Sequence, residues 1–372
     1  MRDEIFSNIS KIIERDSKVS TYKYALLRGT IDVIQDNSPY IDFEDQMVII
    51  PVGLLVEKWL LYYYPIFESP TFIPQIGRTR NLAFEKQFQA LVKHYSLRGG
   101  FSAFYNDFRN KGVPFEVSDL LKDLVSKIAE TIINQPMKYI GRSLTNDYHS
   151  IYKIVGKKKR ISVPIITLDS IIQRYEKFSI PIEYFRAFQL LGSFISGQDS
   201  ILFKWAEFSV NTSNKDLNLE FVINHILKNP ITERETSYSK LLYRNILEKE
   251  GSVYCVWTGD KINRYDVDHL IPFSIWKNND LWNLLPSKPQ INNEKKDKIP
   301  SPILIENRKE MIVQYWELIF KGLPERFKKE IKVSLLGNSG FDNWQITTIK
   351  RLVETCNHLI TIRGFEEWNP KN

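Results

Sequence analysis

The sequence predicts a mainly α-helical chain interrupted near residue 250 by a small strand-containing unit. Apolar residues recur at spacings of three and four through most of the first 250 residues, and the same spacing returns beyond Pro302. Between them, Val253 to Trp257 and Arg264 to Asp268 read as two short β-prone runs around the turn-rich Thr258-Gly259-Asp260-Lys261.

The chain has 372 residues, 43% hydrophobic and 13% aromatic, enough for packed cores in two or three domains. Its 51 basic and 44 acidic residues leave a net charge of +7 on a mixed surface, which permits a polyanionic partner without demanding one. Cys255 and Cys356 stand far apart, so they form neither a disulfide framework nor a CxxC zinc knuckle, and a reducing, cytoplasmic setting fits them best. The opening MRDEIFSNISKIIERD lacks the apolar core of a secretory signal. The most apolar stretch, 47 to 67, carries Pro51, Glu57, Lys58 and Pro65, which favours a buried helix over a membrane span.

Element by element, helical spacing covers residues 2 to 14, 20 to 35, 43 to 64, 82 to 94 and 115 to 134. IYKIV and ISVPI, on either side of Gly156 and the basic tip Lys157 to Arg160, predict one β-hairpin. The tip is read as a solvated turn, with a phosphate contact as the alternative. Helices are then expected at 167 to 178, 181 to 195, 217 to 228 and 236 to 249. A domain boundary is expected near 250. After the two short strands comes a loop from 270 to about 288, then a short helix opened by Pro289, then helices at 304 to 320 and 342 to 362. The expected division is 1–250 as a helical recognition or partner-binding region, 251–302 as the small unit and 303–372 as a helical C-terminal segment.

Within the small unit, Asp268 and His269 end the second strand, and Asn283 and Asn292 follow 14 and 23 residues after His269. Asp268 on a strand and Asn292 on the next helix can converge, each offering an oxygen to a hard divalent cation. A neutral imidazole beside such a cation suits phosphodiester hydrolysis, since it accepts a proton from attacking water. Two oxygen ligands favour Mg²⁺ or Mn²⁺ over zinc. Lys295, Lys296 and Lys298 follow on the helix, where they either neutralise phosphates or form a solvated face; Lys295, on the face of Asn292, is the first choice for a phosphate contact, with Lys296 next. Trp257, Trp276, Trp282 and Leu284 are read as packing, and Cys255 as a strand residue.

In order and context, CVWTG, DVDHLIPFS, NDLWNLLPS and NNEKKDKIPS resemble the HNH, or ββα-metal, endonuclease family over roughly 253 to 302. The resemblance implies Asp268 and Asn292 as metal ligands, His269 as general base and Asn283 as a brace for the loop. Asn293 is the alternative ligand; Pro300-Ser301 downstream, as in the HNH domain of CRISPR effector nucleases, favours Asn292. The flanking cysteine pairs with which some HNH proteins hold structural zinc are absent from this sequence.

Two upstream segments, STYKYALLRGTIDVIQ and ILFKWAEFSVN, are loosely similar to bacterial HNH proteins of restriction and phage defence. The resulting expectation is a metal-dependent endonuclease acting on DNA, double-stranded by family frequency. The alternatives are a nuclease subunit active only within a complex with partner proteins, and a catalytically silent ββα module for DNA binding. No membrane role is expected.

Overall fold

Helices make up most of the chain in the computed structural model, as the apolar spacing predicts. The structure describes residues 5, 8, 9, 12, 19–77, 81–140, 150–158, 166–196, 201–214, 216–232 and 234–370. It divides into two units, Met1–Asp36 with Ile41–Ile231, and Asn37–Tyr40 with Thr232–Asn372. Among the described residues no helix is long and apolar enough to cross a membrane.

In the first unit, α1 (Tyr22–Gln35) packs on α2 (Val52–Glu68), whose Leu55, Trp59, Leu60, Tyr63 and Tyr64 are fully buried. A helix apolar on nearly every side belongs at the centre of a bundle. Around α2 lie α3 (Glu85–Tyr95), α4 (Gly100–Asn106) and α5 (Phe115–Asn134). Aromatic rings knit this core: Tyr64 stacks on Phe101 and Phe104 at 5.0 and 5.1 Å.

The helix expected from residue 43 begins only after Pro51. Asp42–Glu44 (β1) and Met47–Pro51 (β2) form an antiparallel pair instead. The β-branched run Val48-Ile49-Ile50 is buried in the sheet, and Pro51, extended at φ −65° and ψ 132°, marks the junction.

Of the expected hairpin, the first strand forms: Lys153–Val155 (β3) pairs with Lys177–Pro181 (β4), at the edge of a sheet ordered β1-β2-β4-β3. Residues 161–165, and Lys159 and Arg160 of the basic tip, lie outside the described residues. Lys158 in that tip sits 3.7 Å from Glu130 and over the Tyr175 ring. The helix expected at 167–178 stops at Arg174, giving α6 (Leu168–Arg174), because the chain must extend to become β4. Then follow α7 (Ile182–Ser196), α8 (Ile201–Thr212) and α9 (Leu219–Ile226). The helix expected at 2–14 falls largely outside the described residues.

The second unit opens with α10 (Ser237–Glu250), ended by Gly251 at φ 69°. Val253–Tyr254 (β5) pairs with Lys261–Ile262 (β6), and Asp266–His269 (β7) pairs with Leu284–Ser287 (β8). The long loop expected from 270 to 288 therefore ends in a strand. Leu284-Leu285-Pro286-Ser287 is wholly buried, so it carries no alternation to signal β structure. Next come α11 (Pro289–Lys295), β9 (Ile299–Pro300), α12 (Pro302–Gly322), α13 (Pro324–Ile331), α14 (Trp344–Thr361) and β10 (Glu367–Trp368), the last parallel to β9. One apolar core runs through all of them, from Tyr243 through Trp257, Trp282 and Trp316 to Cys356.

One contact in the first unit sets how closely helices approach. A β-carbon on Gly53 would lie 2.5 Å from the Ile171 carbonyl oxygen and 2.5 Å from the Ile172 Cα. Gly53→Ala is expected to force α2 and α6 apart and destabilise that unit by about 1–3 kcal/mol, as overpacking of a filled interior does. A thermal melt that matches the parent would show that the two helices separate without cost.

Candidate active site

β7 reads Asp-Val-Asp-His, and strand alternation places Asp266 and Asp268 on one face. α11 lies against that face with Asn292 and Lys295, three apart and therefore neighbours on the helix surface. Asn292 Nδ2 donates to Asp266 Oδ2 at 3.1 Å, and Lys295 Nζ donates to Asp268 Oδ1 at 3.0 Å. Two helical side chains thus meet two strand carboxylates.

Asp268 is 3% exposed. Its Oδ2 accepts from the Trp257 indole Nε1 at 2.7 Å, so both carboxylate oxygens are engaged. Burial pushes its carboxyl above the usual range, against the pull of the Lys295 ammonium and the indole hydrogen bond. Lys295 is fully buried, donates also to the His269 carbonyl at 2.6 Å, and lies 5.7 Å from the Trp257 ring centre. Lys295, expected from the sequence to meet a phosphate, lies here against Asp268, as a buried ammonium needs a buried carboxylate. Lys296, by contrast, is exposed, at φ 51° just past the helix end, and Asn293 is exposed beside Asn292.

His269 is 2% exposed. Its Nε2 stands 3.5 Å from Asn279 Oδ1, its ring 5.3 Å from Phe273, and its buried Nδ1 has no hydrogen-bond partner among the described residues. Burial first, and then the nearby Arg234 charge, lower its pKa to about 4, so the imidazole is neutral at physiological pH.

Asn283 is fully buried and treats the backbone beyond His269 as a strand partner would. Its Oδ1 accepts from Ile271 N at 2.7 Å, its Nδ2 donates to Ile271 O at 2.9 Å, and its own carbonyl accepts from Leu270 N at 2.7 Å. Three bonds fix the turn that leaves β7.

The loop bearing Asn283 is held from the C-terminal helices. Asp280 Oδ2 accepts from Ser334, Asn278 and Trp282, and Glu330 of α13 accepts from Leu281 N at 2.7 Å. Trp316 of α12 donates to the Trp282 carbonyl at 2.8 Å, and Tyr243 of α10 to the Leu284 carbonyl at 2.7 Å.

Sequence reasoning missed Asp266 and the hydrogen-bonding role of Trp257. The alternation in Asp-Val-Asp-His carries the signal for the first; the second needed the fold. Among the described residues no group of three or more His, Cys, Asp and Glu side chains is placed to hold a metal. A cation here would rest on the Asp268 carboxylate and the Asn292 amide oxygen, hard donors suited to a small divalent ion. The Lys295 ammonium already on Asp268 marks this as a position that takes positive charge, so the residues fit such a metal. The two thiols are unsuited: Cys255 is buried in the first hairpin, accepting from Lys288 N, and burial pushes Cys356 up to about 12.

Glu330 gives the unit a pH signature. Burial, helped by the neighbouring Asp280 charge, raises its pKa from 4.5 to about 8. The folded chain therefore holds a proton that the unfolded chain releases between these values. Its stabilising contribution is full below about 4.5 and is lost as pH rises through 8, with a slope of at most about 1.4 kcal/mol per pH unit. Below about 6.5 the lowered His269 pKa works in the opposite sense, so unfolding midpoints are compared from about pH 6.5 to 9, where they are expected to fall for the parent and to fall less steeply for Glu330→Gln; parallel profiles would place the pH dependence elsewhere.

Comparison with known families follows this division of labour. Residues 2–226, more than half of the chain, match the model of a domain of unknown function, DUF8808. Residues 255–301 match the model described as HNH endonuclease. No curated protein matches the chain. The chain thus belongs to the DUF8808 family and bears, in its C-terminal region, the HNH endonuclease domain of a nuclease.

Proposed function

We propose that this protein is a metal-dependent endonuclease that hydrolyses phosphodiester bonds in double-stranded DNA, with His269 as the base. The observation that carries this reading is the Asn283 clamp on Ile271, which holds the backbone leaving His269. A side chain that must take a proton at a fixed point requires such a rigid mount.

In this reading Asp268 and Asn292 hold the cation, and Asp266 orients Asn292 through its amide nitrogen. HNH nucleases typically use a divalent metal; bound here, Mg²⁺ or Mn²⁺ stabilises charge on the phosphoryl and leaving oxygens. His269, kept neutral by burial, has the protonation state a base needs to accept a proton from water. Exposed Lys296 meets the DNA backbone.

A second reading, activity only within an assembly, is favoured by the nearly complete burial of Asp268 and His269. The DUF8808 region then serves target selection or partner docking. A role in restriction or phage defence rests on the loose likeness of two upstream segments, and a cytoplasmic setting on cysteine usage.

The decisive assay incubates the protein with supercoiled plasmid and Mg²⁺ or Mn²⁺, alone and with the products of neighbouring genes. Cleavage is expected to disappear with EDTA and to fall about 10²–10⁴-fold in His269→Ala, the usual worth of general acid–base catalysis. An alanine variant that cuts at the parental rate would remove His269 from the chemistry. Cleavage only in the presence of a neighbouring product would select the assembly reading.

A further inference from the structure

The Asp268 carboxylate is satisfied by donors of this chain. Each oxygen of Asp268 has a protein donor, Trp257 Nε1 on Oδ2 and Lys295 Nζ on Oδ1. The indole is a neutral donor fixed in the core, 5.5 Å from the Trp368 ring. The ammonium is the positive member of the pair, and it ends a flexible stem at the last residue of α11. Immediately beyond it the chain turns through Lys296 at φ 51° to the exposed Asp297. Of the two groups on Asp268, Lys295 is the one that can leave.

We propose that Lys295 is an internal competitor for the metal, its ammonium occupying the Asp268 oxygen that a divalent cation needs. Metal entry and release of Lys295 are then one exchange. Two cations on one buried carboxylate repel each other strongly where water is scarce, so the incoming ion displaces the ammonium. The same ammonium also donates to the His269 carbonyl, so its departure frees the backbone at the proposed base as well as the ligand. Lys295 is in these terms a positioning residue that closes the site until metal arrives. The inference rests on the metal-centre reading above, but it is separable from it.

The test needs no nucleic acid. Mn²⁺ binding is measured by calorimetry for the full-length parent and for Lys295→Met, which keeps an unbranched stem without charge. The variant is expected to bind Mn²⁺ at least about tenfold more tightly, the factor set by removing a competitor worth about 1.4 kcal/mol or more. Equal or weaker binding by the variant would overturn the proposal and leave Lys295 as a group that merely keeps Asp268 ionised. Should the variant fail to fold, amine acetylation of the parent followed by peptide mass spectrometry decides the matter. Lys295 is expected to be protected without Mn²⁺ and to become labelled with it, while Lys296 and Lys298 label alike in both conditions. Lys295 protected equally in both conditions would overturn the exchange. Absence of Mn²⁺ binding by the folded parent would instead remove the metal-centre reading, and the exchange with it.

Discussion

A carboxylate withdrawn from water has to find its partners within the protein, and the second unit is arranged around this need of Asp268. The indole of Trp257 and the ammonium of Lys295 answer it from opposite sides in sequence, one from the connection after β5 and the other from α11. Bringing them together requires β7 to pair with β8, because β8 leads directly into α11. The turn between those strands depends in turn on Asn283, and its loop depends on Asp280 and Glu330. The C-terminal helices are therefore part of the site's foundation, although they carry none of its proposed chemistry.

Desolvation accounts for most of the site's electrostatics. It raises the carboxyls of Asp268 and Glu330 and lowers the imidazole of His269, each time by disfavouring the charged form. Neutral His269 and a carboxylate that needs an adjacent cation are two results of one cause. Opening this region to water would relax both together.

Long helices were legible in the sequence because their pattern is local: Phe115–Asn134 and Trp344–Thr361 each bury one stripe that recurs along a single segment, and Tyr22–Gln35 leaves only Lys23, Arg28 and Asp32 unburied. Strand pairing was far less legible. Nothing near Lys153 announces that its partner is Ser179, and the buried Leu284–Ser287 strand lacks alternation. Residue order exposed Asp268, His269, Asn283 and Asn292 as a group. It placed Lys295 on the correct helical face yet could not say that the nearest anion there is an aspartate of the same chain, since that depends on how α11 lies over β7. Trp257 looked like packing for the same reason: burial is written in its side chain, but the direction of its N–H is a property of the fold.

The pairing of β9 with β10 gives the unit an order of completion. Trp368 packs edge-on against Trp257, and Ser301 bonds Asn369, so β10 and the residue after it brace the indole that holds Asp268. A ribosome makes those residues after every other part of the site. A nascent chain that has reached residue 302 already carries each motif residue, but it lacks the ring that steadies Trp257 and the helices that hold the Asn283 loop. Synthesis itself thus delays assembly of the site until nearly the whole unit has emerged.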